Sequence, residues 1–252
     1  FYSELYFFPY LFVIWLVGFL GAFLSRIHKN RRLFLQLKAT CPANTNRELE
    51  LLKNQLAEKH HICRQVQIRH CALLNSPLIS GIFHPTIFLP QTKLPEQYTE
   101  FILRHELTHC HRNDIFYKYL LLFIKSLYWF SPLIHIFSHI FNERCEIACD
   151  EALLDKYSRK EQLEYAKCIA GFAGYAQPDF TVSFYSAHTV EHRIASIAAM
   201  RSGGRVNRKK TVVLTGVAVF LLLTALMLTA ANSTILRIAL GKWMELLHTT
   251  RF

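Results

Sequence analysis

RHELTHCHRND, residues 104–114, carries two histidines four positions apart with a glutamate directly after the first. On an α-helix, positions four apart lie one above the other, so His105 and His109 can aim ring nitrogens at a common point about 2 Å from each. Glu106 is rotated about 100° from His105 and is left to act as a base, taking a proton from a water whose acidity a bound divalent ion raises. The pattern predicts zinc-dependent peptide cleavage; the plain alternative is three polar residues on an ordinary helix. The first reading needs an unbroken helix and a third ligand. EQYTEFILRHELTHCHRND, residues 96–114, contains no Gly or Pro and follows Pro95, so one helix running past residue 110 is expected.

A catalytic zinc takes three protein ligands and keeps one position open. The best third donor is Glu146 in NERCEIACDEALL, residues 142–154, on the next helix but one. Asp150, four positions later on the same face, is suited to orient a histidine through its second ring nitrogen. Glu143 is the competing ligand, and a solvated acidic face that includes Glu151 is the bland reading of the same residues. His111 points off the metal face, and His135 and His139 sit in an apolar helix, so none is read as a ligand. Cys145 and Cys149 read as helix packing.

Residues 5–24, LYFFPYLFVIWLVGFLGAFL, and 212–231, VVLTGVAVFLLLTALMLTAA, carry no charge in a chain that is 52% hydrophobic. At about 1.5 Å per residue each spans roughly 30 Å, a bilayer's hydrocarbon thickness, although buried core helices pass the same test. Arg26, Lys29, Arg31 and Arg32 follow the first run, and Arg201, Arg205, Arg208, Lys209 and Lys210 precede the second. Basic residues flanking a span stay on the cytoplasmic side. The expected order is a transmembrane helix at 1–25, a cytoplasmic domain at 26–210, a second transmembrane helix at 211–232 and an extracytoplasmic amphipathic tail at 233–252. The net charge of +11 is then read as contact with anionic lipid, with no direct nucleic-acid binding. The seven cysteines fall in that reducing segment and are expected as free thiols. A first residue that is Phe rather than Met suggests a fragment or processed product.

Within the domain, Thr45 and Glu48 form a capping-box pattern before a helix at 46–60. Residues 66–74 and 77–90 read as two strands, with Pro85 arguing for an edge position able to receive an extended peptide, or marking an ordinary bend. Residues 115–141 read as two apolar helices broken near 131, either at the membrane surface, partly inserted or in the core. A helix capped by Ser158 and Glu161 and another at 189–202, ended by Gly203-Gly204, follow.

HELTH with Asp114 after it, SPLISGIFHPTIFLP (residues 76–90) before it and EIACDEALL after both together resemble the BlaR/MecR-type antirepressor membrane metallopeptidases, and more distantly the HtpX and Ste24 membrane proteases. The resemblance implies an α+β, mainly helical gluzincin domain with a small β-sheet, flanked by two transmembrane helices in a bacterial inner membrane. It implies zinc on His105, His109 and Glu146, Glu106 as general base, and signalling by self-cleavage or by loss of a transcriptional repressor. HTVEHRI, residues 188–194, is similar to a late element of the HtpX and Ste24 proteases, which would make His188 an oxyanion stabiliser and pair Arg193 with Asp150; Thr189 replaces the proline expected there. SxxK, SDN and KTG motifs of a penicillin-binding sensor are absent from the sequence. The expected partners are lipid and a peptide or protein substrate, with a homodimer allowed. The substrate would add a strand along 82–89, or FTVSFY, residues 180–185, would itself enter the site. Rival readings are an HtpX-type quality-control protease and a non-catalytic signalling scaffold.

Overall fold

The first apolar run becomes one long helix, α1 (Tyr2–Thr40), of which Phe12–Thr40 is long and apolar enough to cross a bilayer. The structure is a computed structural model that describes residues 2–62, 64–74, 76–91, 96–155, 157–173 and 187–200. The second apolar run, the basic cluster before it, Gly203-Gly204, the amphipathic tail and FTVSFY lie outside the described residues.

Helix α2 (Arg47–Lys59) begins one residue later than its predicted cap implies. Asn46, not Thr45, is the cap: its Oδ1 accepts from the backbone N–H groups of Glu48 and Leu49 at 2.9 and 3.4 Å. Asparagine is at least as good a cap as threonine, and Asn44 fixes it by accepting from the Asn46 N–H.

Three strands follow, β1 (Gln67–Cys71), β2 (Leu78–Ser80) and β3 (Thr86–Pro90), in the order β1-β3-β2. The expected single strand at 77–90 is thus a hairpin, turned at Gly81, whose φ of +102° suits only glycine and where a Cβ would meet the His84 carbonyl oxygen at 2.5 Å. The edge assignment holds for β2 and is overturned for β3, which lies between the other two strands. β3 pairs with β1 in parallel and with β2 antiparallel, and all five of its residues are buried. Its continuous apolar run is what a strand covered on both faces requires. Pro85 costs no ladder bond because it precedes the strand, and its carbonyl accepts from the Gln67 N–H at 3.0 Å. No substrate strand can therefore add along 86–90.

One face of the sheet, with Ile68, Ile87 and Leu89, packs with Leu56 of α2 and with Leu103 and Leu107 of the next helix, α3 (Glu96–Arg112). The opposite side of β3 presents Phe88 to Leu37 at the end of α1. Here a second expectation fails: Cys41 and Cys71 are joined as a disulfide across 30 residues, with Cα atoms 4.7 Å apart. Arg69 holds the two segments together by donating to the Lys38 and Cys41 carbonyls, both at 2.8 Å. The compartment argument had no access to that proximity. Cys110, Cys145, Cys149 and Cys168 are free and buried.

The apolar stretch after the motif forms α4 (Asp114–Leu127) and α5 (Leu133–Leu154), with the expected break falling at Tyr128–Pro132. α6 (Arg159–Ala173) starts after the predicted Ser158–Glu161 cap, whose Ser158 N–H and hydroxyl both donate to the Glu161 carboxylate. α7 (Ala187–Ala199) lies two residues earlier than the predicted start. Leu153, Leu154, Tyr165, Ile169, Val190 and Ile197 lock α5, α6 and α7 into a second core.

Candidate metal centre

Helix α3 runs unbroken through the motif and packs on α5, so His105 and His109 meet the acidic face that begins at Glu143. The two Nε2 atoms are 3.1 Å apart. Glu146 closes a triangle, with one carboxylate oxygen 3.3 Å from His105 Nε2 and the other 3.6 Å from His109 Nε2. Ligands about 2.0–2.1 Å from a tetrahedral centre sit roughly 3.3–3.4 Å from each other. The donor set therefore fits a zinc-sized ion. His105, Glu106, His109 and Glu146 are all buried, and none of the described hydrogen bonds ties Glu106 down.

What makes the Nε2 atoms converge is the occupation of both Nδ1 atoms. His109 Nδ1 lies 2.8 Å from Asp114 Oδ2. Asp114 is brought back to it by a sharp corner at Asn113, which adopts the left-handed conformation (φ 58°) that asparagine tolerates. Arg112 donates to Asp114 at 3.0 Å and also to the Ala148 carbonyl of α5. His105 Nδ1 lies 2.8 Å from the Tyr165 hydroxyl and 3.2 Å from Asp150 Oδ1. The Tyr165 hydroxyl donates to Asp150 at 2.6 Å, so its oxygen is left to accept from His105 Nδ1–H. Arg193 then grips Asp150 through Nε and one terminal nitrogen at 2.7 and 2.8 Å, and its other terminal nitrogen is 3.6 Å from Glu146. A proton on each Nδ1 leaves a lone pair on each Nε2, which is the tautomer a metal ligand needs.

The electrostatics describe a pocket built for positive charge. Burial alone would lower both histidine pKa values, but Cys149 and the surrounding carboxylates (Asp150 and Glu146 at His105, Glu146 and Asp114 at His109) hold both well above the usual imidazole range. Burial would raise Glu146, and His109 and Lys118 draw it well below the ordinary carboxylate value instead. Asp150 behaves likewise: burial is outweighed by Arg193 and His105, leaving it at about 2. Asp114 is lowered against its burial by His109 and Arg112. Protons on the imidazoles and a divalent ion compete for one location.

Two other donor groups share this core: His105, His109 and Cys149, and His109, Asp114 and Cys145, each with ligand atoms within 4.8 Å. The carboxylate set is the better fit. Asp114 already holds the Nδ1 of His109, and the Cys149 thiol donates to the His105 carbonyl oxygen at 3.6 Å.

Of the residues singled out in the sequence, His105, Glu106, His109, Glu146, Asp150 and Arg193 come together in this core. Glu143, on the same face of α5, pairs instead with His192, its carboxylate 2.6 Å from His192 Nδ1. The His188 side chain lies outside the described part. Sequence reasoning missed Tyr165, and also Lys118, whose Nζ is 3.6 Å from Glu146. It quoted Asp114 without assigning it a partner.

Residues 5–197 match the family described as BlaR1 peptidase M56. Similar proteins include "Regulatory protein BlaR1" of Bacillus licheniformis, 29% identical over 168 residues, covering 66% of this chain and 28% of that protein. "Methicillin resistance mecR1 protein" of Staphylococcus aureus (strain Mu50 / ATCC 700699) and of Staphylococcus epidermidis are each 24% identical over 199 residues, covering 72% of this chain and 34% of theirs. The chain spans about a third of the length of these relatives. Since the matched stretch takes in α1, both histidines, Glu146 and the Arg193 that braces them, fold and site carry one assignment: the chain belongs to the BlaR1 peptidase M56 family.

Proposed function

We propose that this chain is the membrane-anchored zinc endopeptidase part of a sensor-transducer, with a gluzincin site formed by His105, His109 and Glu146 and with Glu106 as general base. The observation that carries this reading is the triangle of two Nε2 atoms and one carboxylate, 3.1–3.6 Å on a side, with both Nδ1 atoms held by buried groups. A zinc ion bound there supplies Lewis acidity and an acidic water. Glu106 would be the group that accepts a proton from the attacking water and returns it to the leaving amine. Arg193 and Asp150 act as positioning residues, keeping Tyr165 and through it the His105 ring in place. His188 is proposed to steady the oxyanion, on the resemblance of HTVEHRI alone.

Residues 26–210 face the cytoplasm in this proposal, between α1 and a second span at 212–231, because the basic clusters adjoin the inner ends of both runs. The names of the relatives support regulation, and the extra length of those proteins leaves room for a sensor. The proposed outcome is cleavage of the chain itself, for which FTVSFY is a candidate, or of a transcriptional repressor. Metal analysis of purified chain tests the core of the proposal. Wild type should hold one zinc, Glu106→Ala should keep the metal and lose cleavage, and Glu146→Ala should lose both. Zinc retained by Glu146→Ala at wild-type affinity, or unchanged fragments from Glu106→Ala, would overturn it.

A further inference from the structure

The outer faces of α4 and of the first half of α5 carry apolar side chains that the metal chemistry does not use. Leu120, Phe130, Leu133, Ile136 and Ile140 are 44, 47, 64, 60 and 49% exposed. On α4 the exposed positions Phe116, Leu120 and Phe123 recur at the spacing of a single helical stripe. On α5 the exposed apolar arc is bordered by His135 and His139.

The surroundings of that surface are fixed by what α4 touches. The Trp15 indole donates to the Leu127 carbonyl at 3.1 Å, and Phe19 and Phe23 meet the Phe123 ring edge-on at 5.8 and 5.7 Å. Gly18 accommodates Trp129: a Cβ there would lie 2.4 Å from the indole. These four α1 residues belong to its uncharged run at 5–24. Arg26, the first charge after the run, reaches the Ser126 hydroxyl at 3.3 Å. At about 1.5 Å per residue, Gly18 lies roughly 12 Å inward of Arg26. The tip of the hairpin therefore shares the depth of Phe12, Ile14 and Val17, which are 58, 61 and 64% exposed. Whatever medium bathes that stretch of α1 bathes the tip.

Part of the backbone at the bend is paired internally, as a medium without water requires. Tyr128 N–H returns to the Ile124 carbonyl, Ser131 to Tyr128 and His135 to Pro132, while Trp15 covers the Leu127 carbonyl and Pro132 has no N–H to satisfy. Lys125 has a stem long enough to carry its charge back to the headgroups.

We infer that residues 120–140 form a re-entrant helical hairpin seated in the acyl-chain layer beside α1, fixing the metal centre close to the membrane. Glu146 follows Ile140 by six residues and Ile136 by ten, which puts the centre roughly 9–15 Å from the lipid-facing rows. The inference rests on α1 being a membrane span and not on the catalytic reading.

The test uses the full chain in phosphatidylcholine vesicles containing a phosphatidylcholine with a photoactivatable diazirine on its acyl chain, irradiated and mapped by peptide mass spectrometry. Adducts on Phe130, Leu133 and Ile136 as dense as those on residues 10–20, with none on α2, are expected. Labelling of α1 with an unlabelled hairpin would overturn the inference and leave water or a second copy as the occupant of the face. Metal content measured on the same vesicles separates failure of the hairpin from failure of the proposed site.

Discussion

Arg193→Met gives the sharpest test of how this core is held. Arg193 is 1% exposed and binds Asp150, also 1% exposed, through bonds of 2.7 and 2.8 Å. Asp150 sits at about 2 against an ordinary 3.8 although burial pushes it the other way. That depression corresponds to about 2 kcal/mol favouring the charged form. Removing the guanidinium loses the largest of the interactions behind it and leaves a carboxylate poorly compensated in the core, for which breaking one side of a buried pair costs about 3–5 kcal/mol. For a domain of this size the melting temperature should fall by roughly 6–20 °C. Pairing Arg193→Met with Asp150→Asn removes the stranded charge and should recover most of the loss. Thermal unfolding in detergent, followed by circular dichroism on metal-free protein, reads both numbers. A single variant within about 0.5 kcal/mol of wild type, or a double variant worse than the sum of the singles, would refute the reasoning.

Three further outcomes follow from the same geometry. Tyr165→Phe keeps the ring but removes the hydroxyl shared by His105 and Asp150, so zinc affinity measured by chelator competition should drop about 10–100-fold. Because His105 and His109 are raised above the usual imidazole value, protons compete with metal even near neutrality; apparent affinity should rise with pH through the neutral range, and a flat profile by equilibrium dialysis would contradict it. Burial pushes the Cys110, Cys145 and Cys168 thiols up to about 12, whereas the imidazoles bring Cys149 below its ordinary value against its burial. Among these four thiols, iodoacetamide at mild pH should therefore modify Cys149 first in metal-free protein, and metal loading should protect it.

How much of this was legible in the sequence depends on how local each determinant is. The histidine pair was readable because helix geometry alone sets the relation of positions 105 and 109. Asp150 followed from Glu146 by the same rule. Choosing Glu146 over Glu143 was a matter of how α5 is rotated against α3, which is set by His192 reaching Glu143 and by Leu153 and Leu154 locking onto α6 and α7. The central position of β3 was obscured by Pro85, although the apolar run Ile87-Phe88-Leu89 favoured burial on both faces. The Cys41–Cys71 bond depends on α1 docking against β1, a contact with no trace in either segment.

The two imidazoles show the same division within one site. Each Nδ1 is backed by a carboxylate and each carboxylate by an arginine: His109, Asp114 and Arg112 on one side, His105, Asp150 and Arg193 on the other. The first relay spans only residues 109–114, and a helix end followed by an asparagine corner is enough to fold it back, so RHELTHCHRND already contained it. The second joins α3, α5, α6 and α7 and includes Tyr165, whose hydroxyl meets a histidine 60 residues away. In sequence that tyrosine is indistinguishable from a core aromatic, because its ring does pack as one, against Phe101 at 5.7 Å. Only its oxygen has a second task. A buried hydroxyl without a partner is costly. The identity Tyr rather than Phe at a core position is therefore the one local signal that a polar neighbour waits opposite, and it says nothing of which.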